Sequence, residues 1–266
     1  MPSILFIGAG RMAEAVFKGV LSQPEPAFSP VYVSNHTNKD HLHKLTQSYQ
    51  IEIVENWTDV VANVDVILIA APPSAHTGIL EALHSLVDQQ LVLTVAAGIG
   101  ASDLEAQLPK GTATAWIMPN TAAQAGASIS LYTYGSHVSD IQKGYVESLV
   151  SSIGTGAQLS ESLIHELTAI TGSAPAFVYE FVIQLEKIAQ SFQLEQAQAR
   201  ELVVQMLAGS AEMLKAGFTP TDLRDQVTTP GGATEAGLKS LHQDDFEGSV
   251  ARAVQAVTDH AKKKHN

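Results

Sequence analysis

Residues 4–13 decide the fold of this chain, and they read Ile4-Leu5-Phe6-Ile7-Gly8-Ala9-Gly10-Arg11-Met12-Ala13. The four apolar residues predict a buried strand, and the segment after the glycines has the pattern of a helix. In such a strand–turn–helix unit Gly8 permits a tight turn, Gly10 lets a ligand approach the backbone, and Ala13 lets the helix pack on the strand. The free N–H groups and positive dipole end of the helix then face any phosphate. The stretch therefore predicts a dinucleotide-binding site.

The composition is that of a globular protein with one large or two ordinary domains. The 266 residues are 45% hydrophobic and 16% charged, and their formal net charge is −12 at pH 7. This acidic balance argues against a nucleic-acid partner, which is bound through clustered Lys and Arg. We find neither an apolar run long enough to span a membrane nor the basic start of a signal peptide, so we predict no membrane partner and a cytoplasmic location. The absence of cysteine excludes disulfides and thiolate catalysis.

The first part of the chain alternates short apolar strands with helical segments. We predict strands at 4–7, 31–33, 51–54, 66–70, 91–95, 113–117 and 128–132, and helices at 12–21, 39–49, 77–86 and 102–107. Strand and helix in turn predict right-handed βαβ units and a mostly parallel sheet.

From about residue 159 onward the pattern is fully helical. Long apolar stripes occupy 176–192 and 195–214, Thr219 and Pro220 open another helix, and a last helix covers 246–263. Stripes of this kind are typical of a helical core, and their width also leaves room for a subunit interface. We therefore expect an α/β domain of Rossmann type at residues 1–159 and an all-α domain at residues 160–266.

The residues after the second predicted strand bear on the choice of nicotinamide cofactor. NAD sites of this fold usually carry Asp or Glu there, on the ribose 2′-hydroxyl. This chain instead has Val33-Ser34-Asn35-His36-Thr37-Asn38-Lys39, with hydroxyl, amide and cationic donors and no carboxylate to repel a 2′-phosphate. The segment favours NADPH, with NADH as the alternative. A plain polar loop in which Ser34 caps the next helix also fits these residues, because the usual arginine is absent and His36 stands in its place.

Two motifs rich in glycine and proline lie in the helical part, at residues 167–176 and 227–238. In the second motif a Pro-Gly-Gly turn, Pro230-Gly231-Gly232, opens a helix between Thr229 and Thr234. Backbone N–H groups and threonine hydroxyls around one concavity suit a carboxylate. An ordinary turn with Thr229 or Thr234 as the helix cap is the alternative. The ten histidines include no H-E-x-x-H pattern, and we predict no metal site.

Taken together, the motifs resemble those of the pyrroline-5-carboxylate reductases over nearly the whole chain and in the same order. They are residues 8–13, the Ser-Asn-His-Thr loop at 34–37, Asn56, residues 97–99, Met118-Pro119-Asn120-Thr121, residues 171–176 and the Thr-Pro-Gly-Gly-Ala-Thr loop at 229–234. The resemblance implies hydride transfer from NADPH to the C=N bond of 1-pyrroline-5-carboxylate, which gives L-proline in proline biosynthesis. It also implies an N-terminal NADP(H) domain and a C-terminal helical domain that binds substrate and forms a homodimer or larger homo-oligomer.

The resemblance further implies which residues form the site. The cofactor would be bound by Gly8, Gly10, Arg11, Met12, Ser34, Asn35, His36, Asn56, Ala70, Ala71, Pro72, Ala97, Gly98 and Asn120. The substrate would be bound by Thr229, Gly231, Gly232, Thr234 and Ser173, with Thr234 as the catalytic residue at the ring nitrogen.

The chain departs from the family pattern at two positions near the cofactor. Pro72-Pro73 stands where the family usually has Lys-Pro, and Trp116 stands where it commonly has Arg. Because two cations are lost, two alternatives stay open. One is a reductase of another small cyclic imine or acid. The other is a non-catalytic dinucleotide-binding relative with a regulatory function.

Overall fold

The computed structural model describes residues 1–36 and 39–263. Thr37 and Asn38, which belong to the segment expected at the 2′-phosphate, lie outside the described residues, as do residues 264–266. The chain divides into two compact units, the first over Met1–Gly172 and the second beginning at Ser173. The domain boundary expected at residues 159 and 160 stays a prediction. In the structure the helix at Glu161–Thr168 is part of the first unit.

The first unit is built on one eight-stranded sheet. Its strands are β1 (Ile4–Ile7), β2 (Val31–Ser34), β3 (Glu52–Ile53), β4 (Val66–Ile69), β5 (Leu91–Thr94), β6 (Ala113–Met118), β7 (Ser128–Tyr134) and β8 (Gly154–Gln158). They are hydrogen-bonded in the order β3-β2-β1-β4-β5-β6-β7-β8. Neighbouring strands are parallel except β6 and β7, which are antiparallel. The expected mostly parallel sheet is confirmed.

Five helices of the first unit lie between these strands in the chain, and a sixth follows β8. They are α1 (Arg11–Leu21), α2 (Lys39–Ser48), α3 (His76–Leu83), α4 (Ala101–Gln107), α5 (Asp140–Ser152) and α6 (Glu161–Thr168), with short 3₁₀ turns at Trp57–Asp59, Val61–Asn63, Pro73–Ala75 and Thr121–Ala125. The core contains two large apolar clusters, one around Phe6 and Phe17 and the other around Leu5, Ile69 and Leu80, besides a smaller third cluster around Trp116. Alternate residues of β1 enter the two clusters, so this strand is buried on both faces, as its unbroken apolar run predicts.

The second unit is helical throughout its described residues. Its helices are α7 (Ala174–Ser191), α8 (Gln196–Lys215), α9 (Pro220–Gln226), α10 (Ala233–Gln243) and α11 (Phe246–Lys263). Thr219 caps α9 as its position predicts, because its hydroxyl accepts a 3.1 Å hydrogen bond from the N–H of Asp222. Arg200 on α8 bonds both carboxylate oxygens of the buried Glu186 on α7, at 2.9 and 3.2 Å. This fork holds the two long helices together.

The apolar stripe of α7 is not a core within a single chain. Phe181 is 47% exposed, Ile188 55% and Phe192 75%. On α8, Leu202 and Met206 are exposed as well. The core interpretation of these residues is therefore wrong for the isolated chain, because no helix among the described residues covers them. The subunit-interface interpretation is the one that accounts for an apolar surface of this extent.

None of the described helices is both long enough and apolar enough to cross a membrane.

Candidate active site

A cleft of about 1370 Å³ lies where β1, β2, β4 and β5 end. In the sheet β1 lies between β2 and β4, so the strand order reverses beside it. Open α/β sheets bind ligands at such a reversal, outside the carboxyl ends of the strands. The cleft is lined by eleven of the predicted cofactor residues, namely Gly8, Gly10, Arg11, Met12, Ser34, Asn35, His36, Asn56, Ala70, Ala71 and Pro72. The structure thus gathers into one cleft residues that are far apart in sequence.

The two glycines of the motif meet different structural demands. Gly8 has a φ of +110°, and a Cβ atom there would lie 2.8 Å from the carbonyl carbon and oxygen of Ala70. The N–H of Gly8 donates to the carbonyl of Ser34 at 2.8 Å, which joins the turn to the end of β2. Gly10 has an ordinary φ of −75° and precedes α1, and an added Cβ would meet nothing within 4 Å. Gly8 is therefore required by the fold, whereas Gly10 keeps open the space before the helix.

The space before α1, bordered by Gly8, Gly10 and Arg11, forms a cradle that fits the pyrophosphate of a dinucleotide. The first N–H groups of α1 have no partner within the helix, and the N-cap residue Gly10 has no side chain to bond them. A negatively charged group in the open space before Gly10 would accept those bonds and interact favourably with the helix dipole. Arg11, the first residue of α1, also lines the cleft and adds positive charge.

The corner of the cleft beyond β2 contains side chains that sequence reasoning missed. His41, Glu55 and Trp57 line it beside the predicted Asn35 and His36. The ring Nε2 of His41 lies 3.1 Å from the carbonyl oxygen of Ala9, so this nitrogen is the donor. In the sequence, His41 is notable only as part of the pair His41-x-His43, and nothing there connects it with the glycine motif. Glu55 and Trp57 flank the predicted Asn56.

Asn56 has a local structural task in addition to its place in the cleft. Its side-chain oxygen accepts a hydrogen bond from the N–H of Thr58 at 3.4 Å, and its amide nitrogen donates to Asp59 at 2.9 Å. The residue therefore caps the 3₁₀ turn at Trp57–Asp59. Its contact with a 2′-phosphate stays a prediction.

At the other end of the cleft the lining is formed by Val95 and Ala96, which follow β5. The predicted Ala97 and Gly98 come next in the chain but do not line the cleft. The predicted Asn120 does not line it either, because its side chain donates to the carbonyl of Thr171 at 3.1 Å and accepts from the N–H of Ala122 at 3.1 Å. Its neighbour Thr121 lines the cleft instead. The assignments of Ala97, Gly98 and Asn120 to the cofactor stay predictions.

A buried histidine that sequence reasoning did not single out supports this end of the cleft. His76, only 2% exposed, lies with Nδ1 3.1 Å from the carbonyl oxygen of Pro72 and with Nε2 2.8 Å from the hydroxyl of Thr94. A carbonyl can only accept, so Nδ1 carries the proton and the Thr94 hydroxyl donates to Nε2. Burial lowers the pKa of His76 below its ordinary value, in agreement with a neutral ring.

The predicted substrate residues lie in the second unit. Gly231 has a φ of +73°, which permits the turn, and Gly232 is the N-cap residue of α10. The N–H of Gly231 donates to the carboxylate of Glu235 at 2.7 Å, and the N–H of Gly232 donates to the carbonyl of Thr229 at 2.9 Å. Two of the N–H groups expected to face a carboxylate are thus already bonded, one to the loop backbone and the other to a side chain in the first turn of α10.

The first turn of α10 still offers donors for a ligand. Thr234 is its second residue, and both Thr234 and Thr229 are exposed. N–H groups in the first turn of a helix have no partner within the helix. Ser173, the remaining predicted substrate residue, is half-buried and precedes α7. The substrate assignments of these residues stay predictions.

The fold and the cleft define this chain as a dinucleotide-dependent oxidoreductase. Two family models match it, "NADP oxidoreductase coenzyme F420-dependent" over residues 3–98 and "Pyrroline-5-carboxylate reductase dimerisation" over residues 161–264. The chain belongs to the pyrroline-5-carboxylate reductase family. It is 33% identical to the pyrroline-5-carboxylate reductase of Pseudomonas aeruginosa, over 97% of this chain and 94% of the relative. Identity to pyrroline-5-carboxylate reductase 2 of Bacillus subtilis is 30%, over 96% of this chain and 92% of the relative.

Solved structures agree with this assignment. The 1-pyrroline-5-carboxylate reductase of Streptococcus pyogenes superposes with a TM-score of 0.87 at 28% identity, over 98% of each chain. The pyrroline carboxylate reductase of Plasmodium falciparum, solved with NADP bound, gives a TM-score of 0.85 at 25% identity, over 98% of this chain and 97% of that one. The family resemblance read from the sequence motifs is confirmed.

Proposed function

We propose that this chain is a pyrroline-5-carboxylate reductase, which uses NADPH to reduce the C=N bond of 1-pyrroline-5-carboxylate to L-proline. The observation that carries the proposal is the family match over nearly the full chain, joined to a cleft at the strand-order reversal that fits a dinucleotide. When bound, NADPH supplies a hydride. The chain's own residues bind and orient the reactants.

The cofactor would lie along the cleft with its pyrophosphate before α1. Gly10 and Arg11 would hold the phosphates, and Ser34, Asn35 and His36 would take the ribose 2′-phosphate. No carboxylate follows β2 directly, which favours NADPH over NADH. Glu55 also lines the cleft, so one carboxylate is present in its lining, although after β3.

The substrate is a cyclic imine that carries a carboxylate. The protonated C=N bond is already a good hydride acceptor, so no strong side-chain acid is needed. The first turn of α10 would hold the carboxylate through its N–H groups, and the Thr234 hydroxyl would hydrogen-bond the ring nitrogen. The hydride adds to the ring carbon of the C=N bond, and the nitrogen keeps its proton, which gives the saturated amine. The protein contributes mainly by orientation at a reacting distance of ~3–3.5 Å.

The exposed faces of α7 and α8 would be covered in a homodimer, which agrees with the dimerisation family matched by residues 161–264. We also propose a cytoplasmic location, because a chain without cysteine suits a reducing compartment.

The proposal is tested by following the oxidation of NADPH and, separately, NADH with 1-pyrroline-5-carboxylate as the acceptor. We expect turnover with both cofactors and a higher kcat/KM for NADPH. Thiazolidine carboxylate and 2-hydroxy acids serve as comparison substrates. Faster turnover of one of these would assign the chain to the alternative of another small-molecule reductase. Tight NADPH binding without turnover of any acceptor would favour the non-catalytic alternative.

A further inference from the structure

The backbone of Ala96 is hydrogen-bonded on both sides by buried side chains. Its N–H donates to the Thr94 hydroxyl at 3.0 Å, and its carbonyl accepts from the indole Nε1 of Trp116 at 2.9 Å. Thr94 and Trp116 are both fully buried, at 0% exposure. Ala96 lines the cleft, whereas Thr94 and Trp116 do not. Two side chains outside the cleft therefore fix the position of a backbone segment inside it.

Thr94 is itself held in one orientation. Its hydroxyl donates to Nε2 of His76, and the opposite ring nitrogen donates to the carbonyl of Pro72, another residue of the cleft lining. The hydroxyl proton is directed at the imidazole, at 2.8 Å, rather than at the carbonyl oxygen of Ile69, which lies 3.4 Å away. The lone pairs of the hydroxyl oxygen therefore remain for the N–H of Ala96. The series Pro72, His76, Thr94 and Ala96 thus connects the cleft walls after β4 and β5.

Trp116 is fixed in the same manner. Its indole packs against the ring of His165, with ring centroids 4.7 Å apart and planes tilted by 43°. It also belongs to a buried cluster with Met118, Leu131 and Ile164. A large ring in such packing has one available position, so its N–H stays directed at the Ala96 carbonyl.

The sheet order indicates which part of the cofactor meets Ala96. The pyrophosphate cradle lies at β1, and the residues expected at the 2′-phosphate follow β2, on one side of β1. Ala96 follows β5, which lies on the other side, beyond β4. A dinucleotide stretched across the cleft would place its nicotinamide at this end.

We propose that Thr94 and Trp116 are positioning residues, which hold the Ala96 backbone against the nicotinamide end of the cofactor while His76 fixes Thr94. The inference rests on the proposed function, because it takes NADPH as the occupant of the cleft. It explains how Trp116 serves the site without touching the cofactor. The indole N–H, a neutral donor, bonds the carbonyl of Ala96, while the ring itself lies outside the cleft lining.

Thr94→Val tests the proposal, since it removes the hydroxyl and nearly preserves the shape of the side chain. Thr114→Val is the matched control, because Thr114 is a fully buried threonine on the neighbouring β6 whose hydroxyl bonds the carbonyl of Ala101, outside the cleft lining. Thr94→Ser restores the hydroxyl. Trp116→Phe removes the indole N–H and keeps an aromatic ring. The readouts are kcat with NADPH, the Kd of adenosine 2′,5′-bisphosphate, which lacks the nicotinamide, and hydrogen exchange at the amide of Ala96.

We expect Thr94→Val and Trp116→Phe to lower kcat by about tenfold or more, since small misplacements of a reacting group reduce rates on that scale. The Kd of the bisphosphate should stay within about twofold of wild type, because the pyrophosphate cradle is untouched. The Ala96 amide should exchange faster in Thr94→Val than in wild type. Thr94→Ser should recover most of the kcat, and Thr114→Val should match wild type.

Unchanged kcat in both Thr94→Val and Trp116→Phe would overturn the proposal. The proposal would also be overturned if Thr94→Val lost bisphosphate affinity by the same factor as kcat and Thr94→Ser did not restore it. That result would indicate general damage to the fold. If wild type turned over no imine, the proposed function would fail. The comparison of NADPH affinity with bisphosphate affinity in Thr94→Val would then still decide the positioning role, a selective loss for NADPH supporting it and parallel affinities refuting it.

Discussion

Alanine substitutions at Gly8 and Gly10 should have opposite main effects, the first on stability and the second on cofactor affinity. Gly8→Ala places a side chain where φ is +110° and where Cβ lies 2.8 Å from the backbone of Ala70. Gly10→Ala places the same methyl group at a φ of −75° with nothing within 4 Å. The first change should damage the fold, and the second should leave the fold intact and obstruct the cleft.

The magnitudes follow from these geometries. An L residue in a disfavoured backbone region costs about 1–3 kcal/mol, and forcing an extra carbon into close-packed atoms costs about 1–3 kcal/mol more. For Gly8→Ala we therefore expect a loss of about 3 kcal/mol in the free energy of unfolding. In a unit of this size, that loss lowers Tm by about 6–12 °C. Gly10→Ala should change stability by less than about 1 kcal/mol, because its conformation suits alanine.

Cofactor affinity should show the opposite order. The methyl of Gly10→Ala would occupy the space before α1 that we propose for the pyrophosphate, and we expect its Kd for NADPH to rise by about 10- to 100-fold, equal to about 1.4–2.8 kcal/mol. Calorimetry of the two variants without cofactor gives Tm, and fluorescence titration at a temperature where both are folded gives the Kd. The reasoning is refuted if the Tm of Gly8→Ala equals that of wild type, or if Gly10→Ala binds NADPH as tightly as wild type does.

Two further predictions concern buried and exposed side chains. Burial lowers the pKa of His76 below the ordinary value of 6.5. Below pH 6.5 the unfolded chain therefore takes up a proton that the folded chain does not. The stability that the neutral histidine contributes is complete above about pH 6.5 and is lost as the pH falls toward the lowered pKa. Urea midpoints measured on either side of pH 6.5 should decline less on acidification in His76→Asn than in wild type, and equal declines would contradict the pKa direction. Thr234→Ala should lower kcat by about tenfold or more, on the order of 1.4 kcal/mol, while Thr234→Ser keeps the hydroxyl and most of the activity. Unchanged steady-state kinetics in Thr234→Ala would remove Thr234 from the mechanism.

Some features were determined by the sequence alone because their physical causes are local. The strand at Ile4–Ile7 and the helix that follows it match the prediction because an apolar run, a glycine turn and a 3.6-residue period are all contained in neighbouring residues. The N-cap at Thr219 and the last helix at Phe246–Lys263 were predictable for the same reason. The gathering of residues that follow parallel strands into one cleft could also be anticipated, because their carboxyl ends share one edge of the sheet.

Other features were decided by the tertiary structure. The strand at Gly154–Gln158 is rich in glycine and polar residues, so no alternating apolar pattern marks it, and it exists because it pairs with β7. His76 acquires its partner Thr94 across 18 residues, and Trp116 reaches the carbonyl of Ala96 across 20 residues. The exposure of Phe192 likewise depends on which helices pack around it. A local pattern states which side chains are apolar or can donate, whereas their partners are set by contacts between segments that only the folded chain brings together.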